Sequence, residues 1–436
     1  MQLETIISPS ITLDQVKQSL IKTQKRGALC IDESIKLEQV ARQSIAGFTQ
    51  SMMKKPEQFC HGNFPIYLSE GEGALVIDLD SNAYIDYICG LGANSLGHNH
   101  PALLEAIYKT LPAGLLHSLP TAIEVEATQA LLELVPHANM ARFFKTGADA
   151  NSAAVRLARY ITGKDKIFTV GYNGWHDQYM YDTPGVPKAL TEFSERLPLF
   201  TPDNEALVFE KISADANKAA AIILSVPYNR ELSCDFFTSL RDLCDKKNVL
   251  LILDEVVTGF RLAKGGAQEY FNVRADLVTY SKSLAAGMPL SAIAGDKALL
   301  HRIDELQVST TFGGERLSLA AALASLKVFK NTDIIVQQKT LGAKLKQGVN
   351  EIAKSVGSPL RIRGYDPIPM LNFASMPEQH LPLAKSFVGE MAKRGILMRR
   401  DVNFINAAHT EQHIEFTLQQ IAASLHAMNA TDTQAQ

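Results

Sequence analysis

The sequence predicts an α/β protein whose central sheet is mostly parallel and covered by helices on both faces. Between about residues 102 and 300, short apolar runs alternate with segments of helical periodicity. The runs at residues 220–226 and 249–253 are apolar almost throughout, which is typical of strands buried on both faces of a parallel sheet. Phe236 and Leu240 recur at helical spacing between these runs, as a crossover between parallel strands requires.

Each element of this region is predicted from its local pattern. The strand segments are short apolar runs bounded by polar or turn-forming residues. The helical segments instead repeat apolar residues at three- and four-residue spacing. The predicted strands lie at residues 141–144, 166–170, 220–226, 249–253, 277–281 and 291–294, with a helix at 150–161 after the first of them.

A smaller α+β part is predicted from the two ends of the chain. Three short strands at residues 64–68, 74–78 and 83–87 are separated by the turns Gly71-Glu72-Gly73 and Ser81-Asn82, which indicates a small antiparallel sheet. The C-terminal part is rich in helical patterns. Helices are expected at residues 320–329, 334–352, 382–394 and 411–428, with one strand at 370–373.

The domain boundaries follow from these changes of pattern. Residues 1–50 are polar and helical in pattern, and we interpret them as an extension that docks on the body or on a partner subunit. A flexible lead-in is the alternative. Residues 51–101 and 321–436 are assigned to the small domain and residues 102–320 to the large domain.

Composition excludes several classes of function. The 436 residues carry a formal net charge of −3 without a long basic run, which argues against nucleic acid as a partner. No apolar stretch reaches membrane-spanning length, and the N-terminal segment lacks the apolar core of a signal peptide. Five scattered cysteines without a CxxC pair indicate reduced thiols in the cytoplasm. His98 and His100 lack an evident third ligand, so no metal site is predicted.

Two charged residues follow predicted strands and suggest a reaction centre. Asp254 ends the apolar run 249–253, and Lys282 ends the run 277–281. Parallel strands place their carboxyl ends at the sheet edge where α/β folds bind ligands. A carboxylate and an amine there suit pyridoxal phosphate, since the amine forms a Schiff base and the carboxylate pairs with the pyridinium nitrogen. Taken alone, each residue is more often a surface lysine or a helix cap.

Two further segments favour a cofactor site. Residues 145–150 join a strand to a helix, where small side chains let backbone amides approach an anion; a capped turn is the alternative. Residues 171–177 bring Tyr172 and the only tryptophan, Trp175, to a strand end. This suits stacking on a planar ring, with a packed aromatic loop as the alternative. Neither an ATP-binding GxxxxGK[ST] loop nor a GxGxxG dinucleotide motif is present.

Together these segments resemble the class III (subgroup II) aminotransferases of pyridoxal-phosphate fold type I, and within them the glutamate-1-semialdehyde aminomutase-like branch. The resemblance covers about residues 45–430. It implies a large domain with a mostly parallel sheet of seven-stranded type, and a smaller α+β domain built from both termini. It rests on motifs at residues 73–87, 96–98, 146–150, 172–176, 254–261, 265–271, 281–289 and 310–322.

The resemblance implies a catalytic role for three residues. Lys282 matches the lysine that forms the Schiff base with pyridoxal 5'-phosphate, and Asp254 matches the partner of the pyridinium nitrogen. Tyr172 and Val256 match the residues that sandwich the ring, and Tyr172 is counted with Lys282 and Asp254 as catalytic.

The resemblance also implies how the phosphate is held. Gly147 and Ala148 match residues that donate backbone N–H groups to it. Thr311 resembles the threonine that reaches the phosphate of the neighbouring subunit's cofactor. That role implies a homodimer with shared active sites.

The chain departs from the family pattern at three places. Ala148 and Asp149 stand where relatives usually carry Thr or Ser and Glu. Ser225 precedes Val226-Pro227 where the family often has a Glu-Pro pair. Gly314-Glu315-Arg316 replaces the usual Gly-Asn-Pro, a variant similar to that of relatives from surface-sugar or secondary-metabolite pathways. The question of substrate therefore centres on these departures.

The predicted function is transfer of an amino group from an amino acid to an aldehyde or ketone. Glutamate is a candidate donor, and a sugar or secondary metabolite is a candidate acceptor. One alternative is an intramolecular glutamate-1-semialdehyde-type 2,1-aminomutase, which uses no external keto acid. Another is a non-catalytic protein that binds the cofactor without turnover. Candidate ligands for a substrate carboxylate are Arg230, Arg261, Arg302, Arg399 and Arg400.

Overall fold

The computed structural model of the chain describes residues 10–200, 204–228, 231–373 and 377–434. The chain divides into two compact units. The first is formed by both ends of the chain, residues 1–100 and 336–436, and the second by residues 101–335. No helix in the described part of the chain has the length and apolar character needed to cross a membrane.

The helices of the described residues, in chain order, are α1 (Leu13–Arg26), α2 (Asp32–Ser44), α3 (Cys89–Gly92), α4 (Pro101–Thr110), α5 (Ala122–Leu132), α6 (Gly147–Thr162), α7 (Glu205–Asp215), α8 (Cys234–Lys247), α9 (Ala267–Tyr270), α10 (Lys297–Leu300), α11 (Arg316–Asn331), α12 (Ile334–Ser355), α13 (Pro377–Lys393) and α14 (Glu411–Gln434). The strands are β1 (Leu68–Glu72), β2 (Leu75–Asp78), β3 (Ala83–Asp86), β4 (Met140–Phe144), β5 (Lys166–Val170), β6 (Ser194–Arg196), β7 (Ala219–Ser225), β8 (Leu250–Asp254), β9 (Leu277–Tyr280), β10 (Ser291–Gly295), β11 (Arg361–Arg363), β12 (Met370–Asn372) and β13 (Ile396–Leu397).

The second unit is built on a seven-stranded sheet in the order β4-β10-β9-β8-β7-β5-β6. The strands from β9 to β6 are parallel to their neighbours, whereas β10 is antiparallel to both β4 and β9. Strands β7, β9 and β10 are buried along their whole length, because helices cover both faces of the sheet. The predicted α/β class with a mostly parallel sheet is confirmed.

The register of this sheet places three polar side chains side by side. Asp254, the last residue of β8, lies opposite Ser225 at the end of β7 and opposite Thr279 near the end of β9. Lys282 follows three residues after Thr279, beyond the end of β9. The carboxyl ends of three adjacent parallel strands therefore meet at one edge, as the sequence pattern predicts.

The first unit contains a four-stranded sheet in the order β1-β2-β3-β13, in which β13 joins parallel to β3. The predicted strand at residues 64–68 is wrong. The strand begins at Leu68 and continues through Glu72, and the chain turns at Gly73, where φ is +57°. Pro65 lacks an N–H group for strand pairing, which favours the later start.

The N-terminal helices α1 and α2 are part of the first unit. Val16 of α1 is fully buried, and α1 lies against β3. The carboxylate of Asp80 caps α2 by accepting hydrogen bonds from Glu33 N at 2.7 Å and Ser34 Oγ at 2.6 Å. Val40 of α2 remains exposed.

Candidate active site

Asp254 is a buried carboxylate at the end of β8 that accepts three hydrogen bonds from neutral donors. Its Oδ2 accepts hydrogen bonds from Asn151 Nδ2 at 2.8 Å and from Asn173 Nδ2 at 2.9 Å. Its Oδ1 accepts one from the backbone N–H of Val256 at 3.1 Å. Burial raises the pKa of Asp254, while these donors and the charge of Lys282 act in the opposite direction.

Lys282 lies at the start of a short 3-10 turn, Lys282–Ala285, directly after β9. Its φ of +43° is unfavourable for a side chain with a Cβ, and such strain clusters at functional sites. Desolvation lowers the pKa of Lys282 to about 8; Asp254 opposes the shift and the cation of Arg261 adds to it. At this pKa about a tenth of the amine is neutral, and nucleophilic, at pH 7.

Glu255 and Arg261 bring two more ionisable groups into the interior beside this pair. Both side chains are fully buried. Glu255 accepts hydrogen bonds from the backbone N–H groups of Ala267 and Gln268, at the start of α9, and from Thr258 Oγ1. Burial raises the pKa of Glu255 to about 8. The site therefore holds carboxylates and cations at low dielectric, where each group strongly affects the titration of the others.

The loop between β4 and α6 presents free backbone amides. Thr146 caps α6: Asp149 N donates to Thr146 Oγ1 at 3.2 Å, and Thr146 N donates to Asp149 Oδ2 at 2.8 Å. Asp149 thus closes a capping box with Thr146. The N–H groups of Gly147 and Ala148 fall in the first turn of α6, ahead of any intrahelical acceptor, and so suit an anion.

The loop after β5 is held against the start of α6. Gly174 has a φ of +118°, and a Cβ at this position would come within 2.7 Å of Ala148 Cβ. His176 Nδ1 lies 2.7 Å from Ser152 Oγ on α6. In this loop Tyr172 is 65% exposed, and its pKa is raised by burial and by the negative charge of Asp254. The structure thus brings Tyr172 and Ala148 to the same sheet edge as Asp254.

Glu315 replaces the asparagine of the family pattern and has a local structural role. Its carboxylate caps α11 by accepting from Leu317 N at 2.6 Å and Ser318 N at 3.1 Å. It also forms an ion pair of 3.1 Å with Lys145, the residue before the cap of α6. Thr311 lies in an exposed turn before α11. Thr311 and Tyr172 are thus the two residues of the predicted site that are exposed in this chain.

The five candidate arginines occupy different environments. Arg261 is buried near Lys282, whereas Arg302 is exposed and pairs with Glu305. In the first unit, Arg399 pairs with Asp401 at 2.9 Å and Arg400 donates to a glutamine side chain. Arg230 lies outside the described residues.

Sequence reasoning missed Asn151, Asn173 and Thr279 as site residues. Asn151 is buried on the face of α6 that packs on the sheet, among alanines. Thr279 is a single polar residue inside an otherwise apolar strand run. An uncompensated polar side chain is costly in such a position, so both residues carried a signal that a buried polar partner exists.

Comparison with known proteins identifies the family. The sequence model of the family described as Aminotransferase class-III matches residues 58–409. The chain is 32% identical to a glutamate-1-semialdehyde 2,1-aminomutase from Methanosarcina acetivorans, over 91% of this chain and 99% of that protein. It is 30% identical to a 2'-deamino-2'-hydroxyneamine transaminase from Streptomyces kanamyceticus, over 84% of this chain and 91% of that protein. The chain therefore belongs to the class III aminotransferases.

A solved structure supports the same assignment and the cofactor. The FumI protein of Sphingopyxis sp. MTA144, in its pyridoxal-phosphate internal aldimine form, matches with a TM-score of 0.85 and 25% identity. The match covers 91% of this chain and 97% of that chain. The chain is thus an enzyme of pyridoxal-phosphate fold type I that uses pyridoxal 5'-phosphate.

The geometry of the site fits this cofactor. A buried carboxylate with only uncharged hydrogen-bond donors suits a protonated ring nitrogen, because a cation compensates the cost of burying the charge. A Cβ on Gly147 would come within 2.7 Å of Val256 Cγ2, so the amide-bearing turn lies directly beside the side chain expected on one face of the ring. Anion and ring contacts therefore come from adjacent parts of the site.

This close approach makes a prediction for Gly147→Ala. The added methyl group collides with the stiff, β-branched Val256, so we expect the dissociation constant of pyridoxal phosphate to rise about tenfold or more, as overpacking of about 1–3 kcal/mol implies. The measurement is quenching of Trp175, the only tryptophan, during titration of the apoenzyme. Val256→Ala is the matched background, in which Gly147→Ala should raise the dissociation constant of pyridoxal phosphate by a smaller factor. An equal loss in both backgrounds would contradict the steric explanation.

Proposed function

We propose that this enzyme transfers an amino group from an amino acid, with glutamate as the first candidate donor, to an aldehyde or ketone. The observation that carries the proposal is the pairing of two groups at adjacent strand ends. Asp254 is a buried carboxylate at the end of β8, and Lys282 is an amine with a pKa of about 8 just after β9. A carboxylate and an amine are the two groups that amino-transfer chemistry requires at one site.

Bound pyridoxal phosphate supplies an aldehyde that forms a Schiff base with an amine, and a ring that accepts the electrons left when a proton leaves carbon. In the proposal Lys282 provides the attacking amine in its neutral form. Once the amino donor has displaced it, the Nζ atom of Lys282 takes the proton from one carbon and returns it to another as general base and acid. Its low pKa allows Lys282 both to take up and to release a proton near neutral pH.

The remaining residues bind and orient the cofactor in this proposal. Asp254 holds the ring nitrogen in its protonated form by a charge-assisted hydrogen bond. Tyr172 and Val256 pack on the two faces of the ring. The N–H groups of Gly147 and Ala148 donate to the phosphate at the positive end of α6.

The acceptor is proposed from the relatives and from the departures in sequence. A relative is named for 2'-deamino-2'-hydroxyneamine, which supports an acceptor carbonyl on a sugar-like compound or secondary metabolite. The second candidate function is the intramolecular 2,1-aminomutase, favoured by the 32% identity to a protein named for that reaction. A cofactor-binding protein without turnover is not favoured, because Lys282 and Asp254 are both in place and the matched family consists of enzymes.

The assembly and location of the enzyme also belong to the proposal. A homodimer with shared sites is supported by the exposed Thr311 and by Phe312 beside it, which is 58% exposed. Cytoplasmic location is supported by the five cysteines, none of which forms a disulfide.

The role of Lys282 predicts a specific pH dependence. Only the neutral amine attacks the aldehyde, so attachment of pyridoxal phosphate to the apoenzyme should accelerate as pH rises and level off above about 8. Stopped-flow absorbance between pH 6 and about 10 measures the midpoint. Lys282→Ala is expected to abolish both attachment and turnover, whereas Lys330→Ala, at an exposed lysine paired with Glu133, should change neither. A rate that still rises at the upper end of this pH range, or turnover by Lys282→Ala, would exclude the assignment.

The two catalytic alternatives differ in stoichiometry. A transaminase converts one amino donor into one keto acid for each acceptor aminated, whereas an aminomutase consumes no external donor. We expect glutamate to convert the enzyme to its amino form and to yield 2-oxoglutarate in equal amount to product, measured by a coupled dehydrogenase assay. Conversion of glutamate-1-semialdehyde without keto acid release would instead establish the mutase.

Mixed dimers test Thr311 and the shared site together. In a hybrid of Lys282→Ala and Thr311→Val subunits, one site has both defects and the other has neither if Thr311 serves the partner's cofactor. We therefore expect activity to reappear when the two weakly active variants are mixed and refolded, towards half of the wild-type value per hybrid dimer. Activity equal to the mean of the two parents would place Thr311 in its own subunit's site or in no site.

A further inference from the structure

Four buried polar side chains form a continuous network beneath the sheet edge. Asn151 comes from α6, Asn173 from the loop after β5, Asp254 from β8 and Thr279 from β9. We call these four residues the Asp254 network. Each has at most 3% of its surface exposed, so its hydrogen bonds form at low dielectric, where they are strong and costly to leave unmade.

The amide of Asn151 makes three hydrogen bonds, which fix its orientation. Its Oδ1 accepts from Thr279 Oγ1 at 2.6 Å. Its Nδ2 donates to the carbonyl oxygen of Asn173 at 2.8 Å and to Asp254 Oδ2 at 2.8 Å. An amide oxygen is only an acceptor, so the hydroxyl of Thr279 must donate to it. The amide nitrogen is therefore held toward Asp254.

The two carboxylate oxygens of Asp254 accept different numbers of hydrogen bonds. Oδ2 accepts from the side-chain amides of Asn151 and Asn173, which occupies both of its lone-pair directions. Within the described part of the chain, Oδ1 accepts only from Val256 N at 3.1 Å, so one lone-pair direction remains for a further donor. The asymmetry selects Oδ1 as the oxygen that meets the ring nitrogen.

We propose that Asn151 and Thr279 are positioning residues for the cofactor: Thr279 orients the amide of Asn151, which holds Asp254 ionised with Oδ1 directed to the ring nitrogen. The inference rests on the proposed function of Asp254 and deepens it. Neither residue contacts the reacting atoms. Both act through Asp254, and Thr279 acts through Asn151.

The charge state of Asp254 depends on groups from every neighbouring element. The network contributes neutral donors, so it stabilises the ionised carboxylate without adding a competing charge. Loss of one donor makes the carboxylate easier to protonate, and a protonated Asp254 no longer pairs with the ring cation. Lys282 after β9 lowers the pKa of Asp254, and Arg261 acts on Lys282. Asp254 in turn raises the pKa values of Glu255 after β8 and of Tyr172 and Tyr179 on the segment after β5.

The test is the pH dependence of cofactor affinity in hydroxyl variants of residue 279. Thr279→Val keeps the shape of the side chain but removes the donor to Asn151, whereas Thr279→Ser keeps the donor. The dissociation constant of pyridoxal phosphate is measured by Trp175 fluorescence from pH 5 to about 9, on full-length enzyme. On acidification, protonation of Asp254 is expected to weaken wild-type affinity, in addition to the effect of protonating Lys282. We expect this fall to begin about one pH unit higher in Thr279→Val.

The controls separate positioning from simple stability. Thr279→Ser should restore the wild-type profile, and Asn151→Ala should shift it in the same direction as Thr279→Val. A fall in thermal stability of Thr279→Val with an unshifted pH profile would overturn the proposal, as would an equal shift in Thr279→Ser. If the wild-type protein binds no pyridoxal phosphate, the proposed function itself is wrong. If the wild-type protein binds the cofactor and is active, but the variants show the same pH dependence of cofactor affinity as the wild type, only the positioning role is wrong.

Discussion

The burial of the Asp254 carboxylate is the constraint on which the rest of the site depends. An ionised carboxylate inside a protein is tolerated only where donors and an opposite charge compensate for lost water. Here the donors come from Asn151 and Asn173, and the opposite charge comes from Lys282. The arrangement requires α6, the loop after β5 and strand β9 to converge on the end of β8. The chemistry of the site therefore depends directly on the architecture of the second unit.

The same burial sets the properties of Lys282. Desolvation and the cation of Arg261 lower its pKa, while Asp254 limits the fall. The resulting pKa of about 8 lies between that of a surface lysine, which stays charged, and that of a group that is neutral at all relevant pH values. A positive φ at Lys282 adds local strain at the residue whose side chain must attach to and leave the cofactor.

The departures from the family pattern have local explanations in the structure. Asp149 closes a capping box with Thr146, so the shorter carboxylate preserves the helix start. Glu315 caps α11 and binds Lys145, which joins the starts of two helices that flank the site. Ser225 lies beside Asp254 in the sheet register. The first two changes maintain the scaffold, which leaves Ser225 as the departure nearest to the chemistry.

The sequence alone determined the α/β class, the mostly parallel sheet and the strand ends that carry Asp254 and Lys282, because apolar runs and helical periodicity are local signals. It misplaced the strand that begins at Leu68, since a bulged hairpin with its turn at Gly73 leaves a weak local pattern. Only the tertiary structure identified Asn151 and Thr279 as partners of Asp254. They are separated from it by 103 residues for Asn151 and by a strand crossover for Thr279, and a hydrogen bond between buried side chains depends on packing rather than on spacing along the chain.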